Sequence, residues 1–199
     1  MVIIFSDKFA SNDFSEWAGT TGTPTTSSAY VHHGTYSVKI DASETVYEGI
    51  TSTDATRYIE AYIYFVSLPT SNNYQVGICG FAPTGFHGYP FFATVYKDPA
   101  DSKVKFALRN AYNNNWGITD IEPSTGQWYC IKLKYIKSGN GALYVDGVLR
   151  VTLSCPSVNT DYVFIGSPEG TQGEAYIDCV IVADVDIPCE SSIIVVQVM

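Results

Sequence analysis

Basic residues are scarce in this sequence. Lys and Arg number 11 against 20 Asp and Glu, which leaves a formal net charge of −9 over 199 residues. Nucleic acid is held through a cationic groove, so this balance excludes nucleic-acid recognition. It excludes adhesion to an anionic membrane surface for the same reason. Charges of both signs make up only 16% of the chain, against about 25% in ordinary soluble domains. Long surface helices carry Glu and Lys on their wet side, and no stretch here keeps a helical period. No apolar run approaches the ~20 residues that cross a bilayer, so membrane insertion is not expected. The opening MVIIF is too short for a signal-peptide core and lacks a charged start. Either a signal has been removed, or the protein leaves the cell by another route such as lysis. No Asn-x-Ser/Thr sequon occurs, and no Cys-x-x-Cys pair that would suggest zinc.

Aromatic residues are abundant instead, with 15 Tyr and 10 Phe. Such residues favour pleated, half-buried strands. Alternation is clearest from Tyr58 to Val66, where Ile59, Ala61, Ile63 and Phe65 point one way and Tyr58, Glu60, Tyr62 and Tyr64 the other. Further strands are predicted over Tyr74 to Phe81, Phe91 to Lys97, Val104 to Asn110, Trp128 to Ile136, Ala142 to Val145, Leu149 to Leu153, Tyr162 to Ile165 and Ala175 to Val182. Asp146-Gly147 between two apolar runs predicts a tight hairpin. So many short strands must stack or close, and a two-sheet sandwich is the usual solution. No composition shift divides the chain. The expected organisation is one domain over residues 1–186 and an apolar C-terminal extension over 187–199.

The cysteines are Cys79, Cys130, Cys155, Cys179 and Cys189. Cys79, Cys130 and Cys179 lie inside apolar strand patterns and read as small buried hydrophobes. Cys155 and Cys189 sit near proline in loop contexts and are the better candidates for a disulfide.

Five segments resemble the concanavalin A-like and LamG-like jelly-roll superfamily, in order and in spacing. They are KFASNDFSEW (Lys8 to Trp17), HGTYSVKIDAS (His33 to Ser43), GQWYCIKLKY (Gly126 to Tyr135), GALYVDGVLR (Gly141 to Arg150) and GEAYIDCVIVAD (Gly173 to Asp184). The resemblance implies an all-β, two-sheet antiparallel jelly-roll sandwich. It also implies a structural calcium where an opening Glu meets a closing Asp-Asp pair. Ala10 stands at the Glu position and Cys179 at the second Asp. Asp13 and Asp178 remain as calcium ligands, but the loss of a carboxylate to a thiol weakens the case, and no cofactor is expected. The plainer reading of Asp178 is a carboxylate that fixes the N-terminal loop by hydrogen bonds.

Catalytic patterns are missing. Glycoside hydrolases of this fold place acidic residues as Glu-x-Asp-x-x-Glu on one strand, and that pattern is absent. A polysaccharide lyase can be assembled on paper from His87, Tyr62, Tyr64 and Arg109, but His87 reads as a solvated loop residue. His32-His33 read as a turn before the second strand. Binding remains, since sugar C–H faces stack on aromatic rings. The expected glycan face is Tyr58, Glu60, Tyr62 and Tyr64, continued by Thr94 and Tyr96 and flanked by Arg109 and Trp116. Trp17 and Trp128 read as core. The expectation is a non-catalytic glycan-binding or surface-structural sandwich, with a virion decoration or fibre protein as one setting. Its partners would be glycans or protein neighbours in an assembly, and it would sit outside the cell or on a virion surface. A carbohydrate-binding module or lectin of a secreted enzyme, and a divergent polysaccharide lyase, are the alternatives. The run SSIIVVQVM would be an adhesive strand if exposed, and predicts packing on its own sheet or on a neighbouring copy.

Overall fold

The computed structural model describes residues 3–50, 56–83 and 90–189. Its elements are all strands: β1 (Ile3–Asp7), β2 (Gly19–Thr21), β3 (Thr25–Ser27), β4 (Ser37–Ile40), β5 (Thr45–Gly49), β6 (Thr56–Ser67), β7 (Gln75–Ala82) and β8 (Phe91–Lys97). They continue as β9 (Val104–Asn110), β10 (Asn115–Ile118), β11 (Trp128–Ile136), β12 (Asn140–Val145), β13 (Val148–Ser154), β14 (Tyr162–Gly166) and β15 (Glu174–Ala183). An eight-stranded sheet runs β13-β12-β11-β6-β15-β4-β3, with β1 added along β15. A seven-stranded sheet runs β10-β9-β8-β7-β14-β5-β2. All strand pairs are antiparallel, so the predicted two-sheet antiparallel β-sandwich is what forms.

The core lies between the sheets and follows the alternation. Ile59, Ala61, Ile63 and Phe65 of β6 and Ile131, Leu133 and Tyr135 of β11 meet Ala93 and Val95 of β8 and Phe106 and Leu108 of β9. Trp17 belongs to this core, and its indole N–H donates to Asp7 Oδ2 at 2.7 Å. The Asp146-Gly147 turn has φ of 52° and 77°, the left-handed pair that a two-residue hairpin demands. Asp178 does fix a loop by hydrogen bonds, but the loop is His32-His33, just before β4, and not the opening N-terminal one.

Two expectations about cysteine are corrected. The disulfide joins Cys130 to Cys189, and Cys155 is a buried thiol. The apolar pattern of β11 concealed the reason. Tyr129, Ile131 and Leu133 take the core side, so Cys130 faces outward, where the chain returns after β15. Burial pushes the Cys155 thiol up to about 11, and burial followed by the charge of Glu60 pushes Cys79 higher still. Unfolding the protein without reductant is therefore expected to expose three thiols to a labelling reagent, while Cys79 and Cys155 stay silent in the native state. A count of one or five would contradict this pairing. The adhesive segment 190–199 and His87 lie outside the described residues.

Candidate functional site

The side chains expected to form one glycan face are placed on two. Tyr58, Glu60, Tyr62 and Tyr64 lie on the outer side of the eight-stranded sheet. Thr94, Tyr96, Arg109 and Trp116 lie on the outer side of the seven-stranded sheet, across the whole thickness of the sandwich. The lyase drawn from Tyr62, Tyr64 and Arg109 fails for the same reason, because these groups cannot converge on one substrate.

The first face is aromatic but covered by its own chain. Register sets Trp128 and Tyr176 on either side of Tyr64, and Cys130 and Asp178 on either side of Tyr62. The segment before β4 then lies on top. Tyr30 stacks on Tyr64 at 4.4 Å, and His32 stacks on Tyr62 at 3.8 Å. At the other end the chain beyond β15 folds back. Ile187 packs on Tyr58 and Ala183, and Lys132 binds Asp186 and the carbonyl of Ile187. Tyr58, Glu60 and Tyr62 are buried as a result, and Glu60 is fully sealed from solvent. Trp128 belongs to this outer cluster and is half-buried, where core burial was expected.

Calcium does not fit these residues. Both oxygens of Asp178 are directed at backbone N–H groups: Oδ2 accepts from His32 at 2.8 Å and His33 at 3.0 Å, and Oδ1 from Cys179 at 2.7 Å. Asp13 is exposed, and its Oδ1 accepts from Ser11 and Ser15 in a local turn, which lowers its carboxyl below the usual range. Calcium requires several convergent oxygen donors. Among the described residues, Asp13 and Asp178 join no such group.

The second face carries a more open site. Trp116 pairs with Arg109 across β10 and β9, and the guanidinium lies 4.7 Å from the indole ring. Ala107 is the next outward residue on β9, and its small side chain lets Trp116 reach over to stack on Tyr96 of β8 at 4.2 Å. The Tyr96 hydroxyl donates to Asn73 Oδ1 at 2.9 Å, and burial followed by the charge of Asp98 raises its phenol. Arg109 also pairs with Glu169, whose side chain is 48% exposed. The loop bearing Glu169 is tied to the sheet by Gln75, whose amide N–H donates to the Glu169 carbonyl at 3.0 Å. Thr94 is not available to a ligand. It is fully buried, and its hydroxyl donates to Val76 O at 2.8 Å. Phe92 and Phe164 fill the floor beyond Arg109, around a Gly80 whose Cβ would collide with the Phe92 Cβ and the Phe164 ring.

The groups that sequence reasoning did not single out are Tyr30, the His32-His33 pair as side chains, Glu169 and Asn73. A His-His pair together with a thiol at the closing Asp-Asp position was a signal for the second of these.

No protein-family model matches the chain, and no curated protein matches it in sequence. Solved structures match its fold. The cellulose-induced protein Cip1 superposes with a TM-score of 0.68 at 15% identity, over 93% of this chain and 99% of the other. Domain 4 of AbnA, an extracellular arabinanase from Geobacillus stearothermophilus solved with arabinotriose, gives 0.61 at 12% identity, over 92% of each chain. The receptor-binding domain of a botulinum neurotoxin C/D mosaic gives 0.57 at 12%, over 87% of this chain and 44% of the other. At such identities the likeness establishes the β-sandwich.

Proposed function

We propose that this protein is a non-catalytic, concanavalin A-like glycan-binding sandwich that works outside the cell. Its ligand surface is the outer face of the seven-stranded sheet at Trp116, Arg109 and Tyr96. The observation that carries this reading is a half-buried indole in contact with a tyrosine ring and a guanidinium, beside an exposed carboxylate on Glu169. An aromatic platform with a few placed polar groups is what a sugar ring requires. The fold it shares with a domain solved with arabinotriose supports the ligand class. The net charge of −9 favours neutral polysaccharides over polyanionic ones. A disulfide at Cys130–Cys189 suits an oxidising compartment. The virion setting drew on the lack of a visible signal peptide, the acidic composition and the apolar tail at 190–199, and nothing among the described residues adds to it.

Retention on neutral polysaccharides such as arabinan and β-glucan, by affinity electrophoresis, tests the reading. Trp116→Ala is expected to weaken the retained interaction by about tenfold or more. Tyr30→Ala, on the other face, is expected to leave it unchanged. No retention of the unaltered protein on any glycan would overturn the function. Full retention by Trp116→Ala would overturn the site.

A further inference from the structure

We propose that His32, His33 and Cys179 form a binding site for a borderline or soft divalent cation of the zinc type, on the outer face of the eight-stranded sheet. This site is independent of the glycan surface on the opposite face.

The site begins with an irregularity in β15. The ladder with β6 pairs Asp178 with Tyr62 and then Ile181 with Glu60, so two residues, Cys179 and Val180, oppose the single Ala61. This β-bulge turns Cys179 onto the outer face beside Asp178, while Val180 returns to the core. Cys179 adopts φ of 52°, a conformation that a bulge normally assigns to glycine. A side chain held there at the cost of strain points to a use for that side chain.

The two histidines are brought to the thiol by the neighbouring carboxylate. Asp178 accepts the backbone N–H of His32 and of His33, and this clamps the dipeptide over β15 across 146 and 145 residues of sequence. Stacking on Tyr62 at 3.8 Å fixes the His32 ring, and Trp128 packs against it in a T-shaped contact with ring centroids 5.3 Å apart. The donor atoms then form a compact triangle. His32 Nδ1 to His33 Nδ1 is 2.7 Å, and Cys179 Sγ lies 3.6 Å from His33 Nδ1 and 3.9 Å from His32 Nδ1. A tetrahedral zinc with bonds of about 2.3 Å to sulfur and about 2.0–2.1 Å to nitrogen would set these spans at about 3.6 Å for S···N and about 3.3 Å for N···N. Parting the two ring nitrogens by about 0.6 Å and drawing His32 Nδ1 about 0.3 Å closer to the sulfur converts one triangle into the other.

The donor set selects the metal. Two imidazole nitrogens and a thiolate suit zinc, cobalt or copper and do not suit calcium or magnesium. Binding releases the thiol proton to solvent. His33 is exposed, which provides a route of entry and leaves a fourth position for water. The Cys130–Cys189 disulfide packs in the same cluster, so those two sulfurs do not compete for the ion. Asp178 acts as a positioning residue, because it holds the ligands without offering an oxygen.

Titration of the oxidised protein with Co²⁺ tests the site. The expected result is one ion per chain and a near-ultraviolet thiolate-to-cobalt charge-transfer band, both abolished by added Zn²⁺. Cys179→Ser is expected to remove the band, and His33→Ala to weaken binding by roughly tenfold or more. His33 is exposed, so its variant tests the site without burdening the fold. Absence of a stoichiometric ion, or a cobalt spectrum that Cys179→Ser leaves unchanged, would overturn the proposal.

Discussion

Replacing Cys130 and Cys189 together by serine is expected to lower stability by about 4 kcal/mol. The bridge spans 59 residues of sequence, and closing a loop of that size removes about this much chain entropy from the unfolded state. For a chain of this length each kcal/mol moves the melting temperature by about 2–4 °C, so the transition should fall by about 8–16 °C. The loss also has a structural side. The covering segment would then be held mainly by Lys132 on Asp186 and by Ile187 on Tyr58. Glu60 is sealed beneath this outer layer, and water reaching it would favour further opening. The double variant is the right probe, because Cys179 belongs to the same cluster as both sulfurs and would capture whichever partner a single substitution left behind. Calorimetry with and without reductant gives the measurement. The unaltered protein should melt lower when reduced, and the double variant should be indifferent to reductant. Equal melting temperatures for the reduced and oxidised protein would show that the staple contributes nothing.

What could be read in advance, and what could not, separates along one physical line. Alternation of period two reports which residues share a side of a strand. It placed Ile59, Ala61, Ile63 and Phe65 in the core, and the bounds of β8, β9 and β11 were also those predicted. The Asp146-Gly147 hairpin was legible because only certain residues tolerate two successive positive φ values. Alternation does not report which sheet a strand joins. Thr94 and Tyr96 were therefore set beside Tyr62, from which the core divides them. Nor does it say whether the outer side of a sheet meets water or other parts of the chain. The cover over Tyr58 to Tyr64 comes from residues 30–33 and 184–189, irregular segments with no period of their own, brought in from far along the sequence. A bulge is invisible to the same signal, because it breaks the period on which the signal rests. Cys179 therefore read as core, although its side chain turns outward.

Asp178→Asn is expected to cost about 3 kcal/mol and to loosen the cover at its other end. The carboxylate is fully buried and serves three backbone donors, His32 and His33 on one oxygen and Cys179 on the other. An amide of the same shape keeps one oxygen and turns an NH₂ group toward the remaining donor or donors. At least one buried N–H then faces another donor, and the bonds that survive lose their ionic character. If the amide oxygen keeps Cys179, the His32-His33 dipeptide loses its clamp, and the stacking of Tyr30 on Tyr64 and of His32 on Tyr62 has to hold the loop alone. The backbone amides of His32 and His33 should then exchange with solvent faster than those of the β6–β11 ladder, by an amount set by the local opening energy. Denaturant titration reads the global cost, and amide exchange reads the local one. Asp13→Asn, at an exposed turn, is expected to change neither. If Asp178→Asn left both measurements at their original values, the cover would be held by stacking alone. If it changed neither stability nor exchange yet weakened Co²⁺ binding, Asp178 would act on the cation site alone.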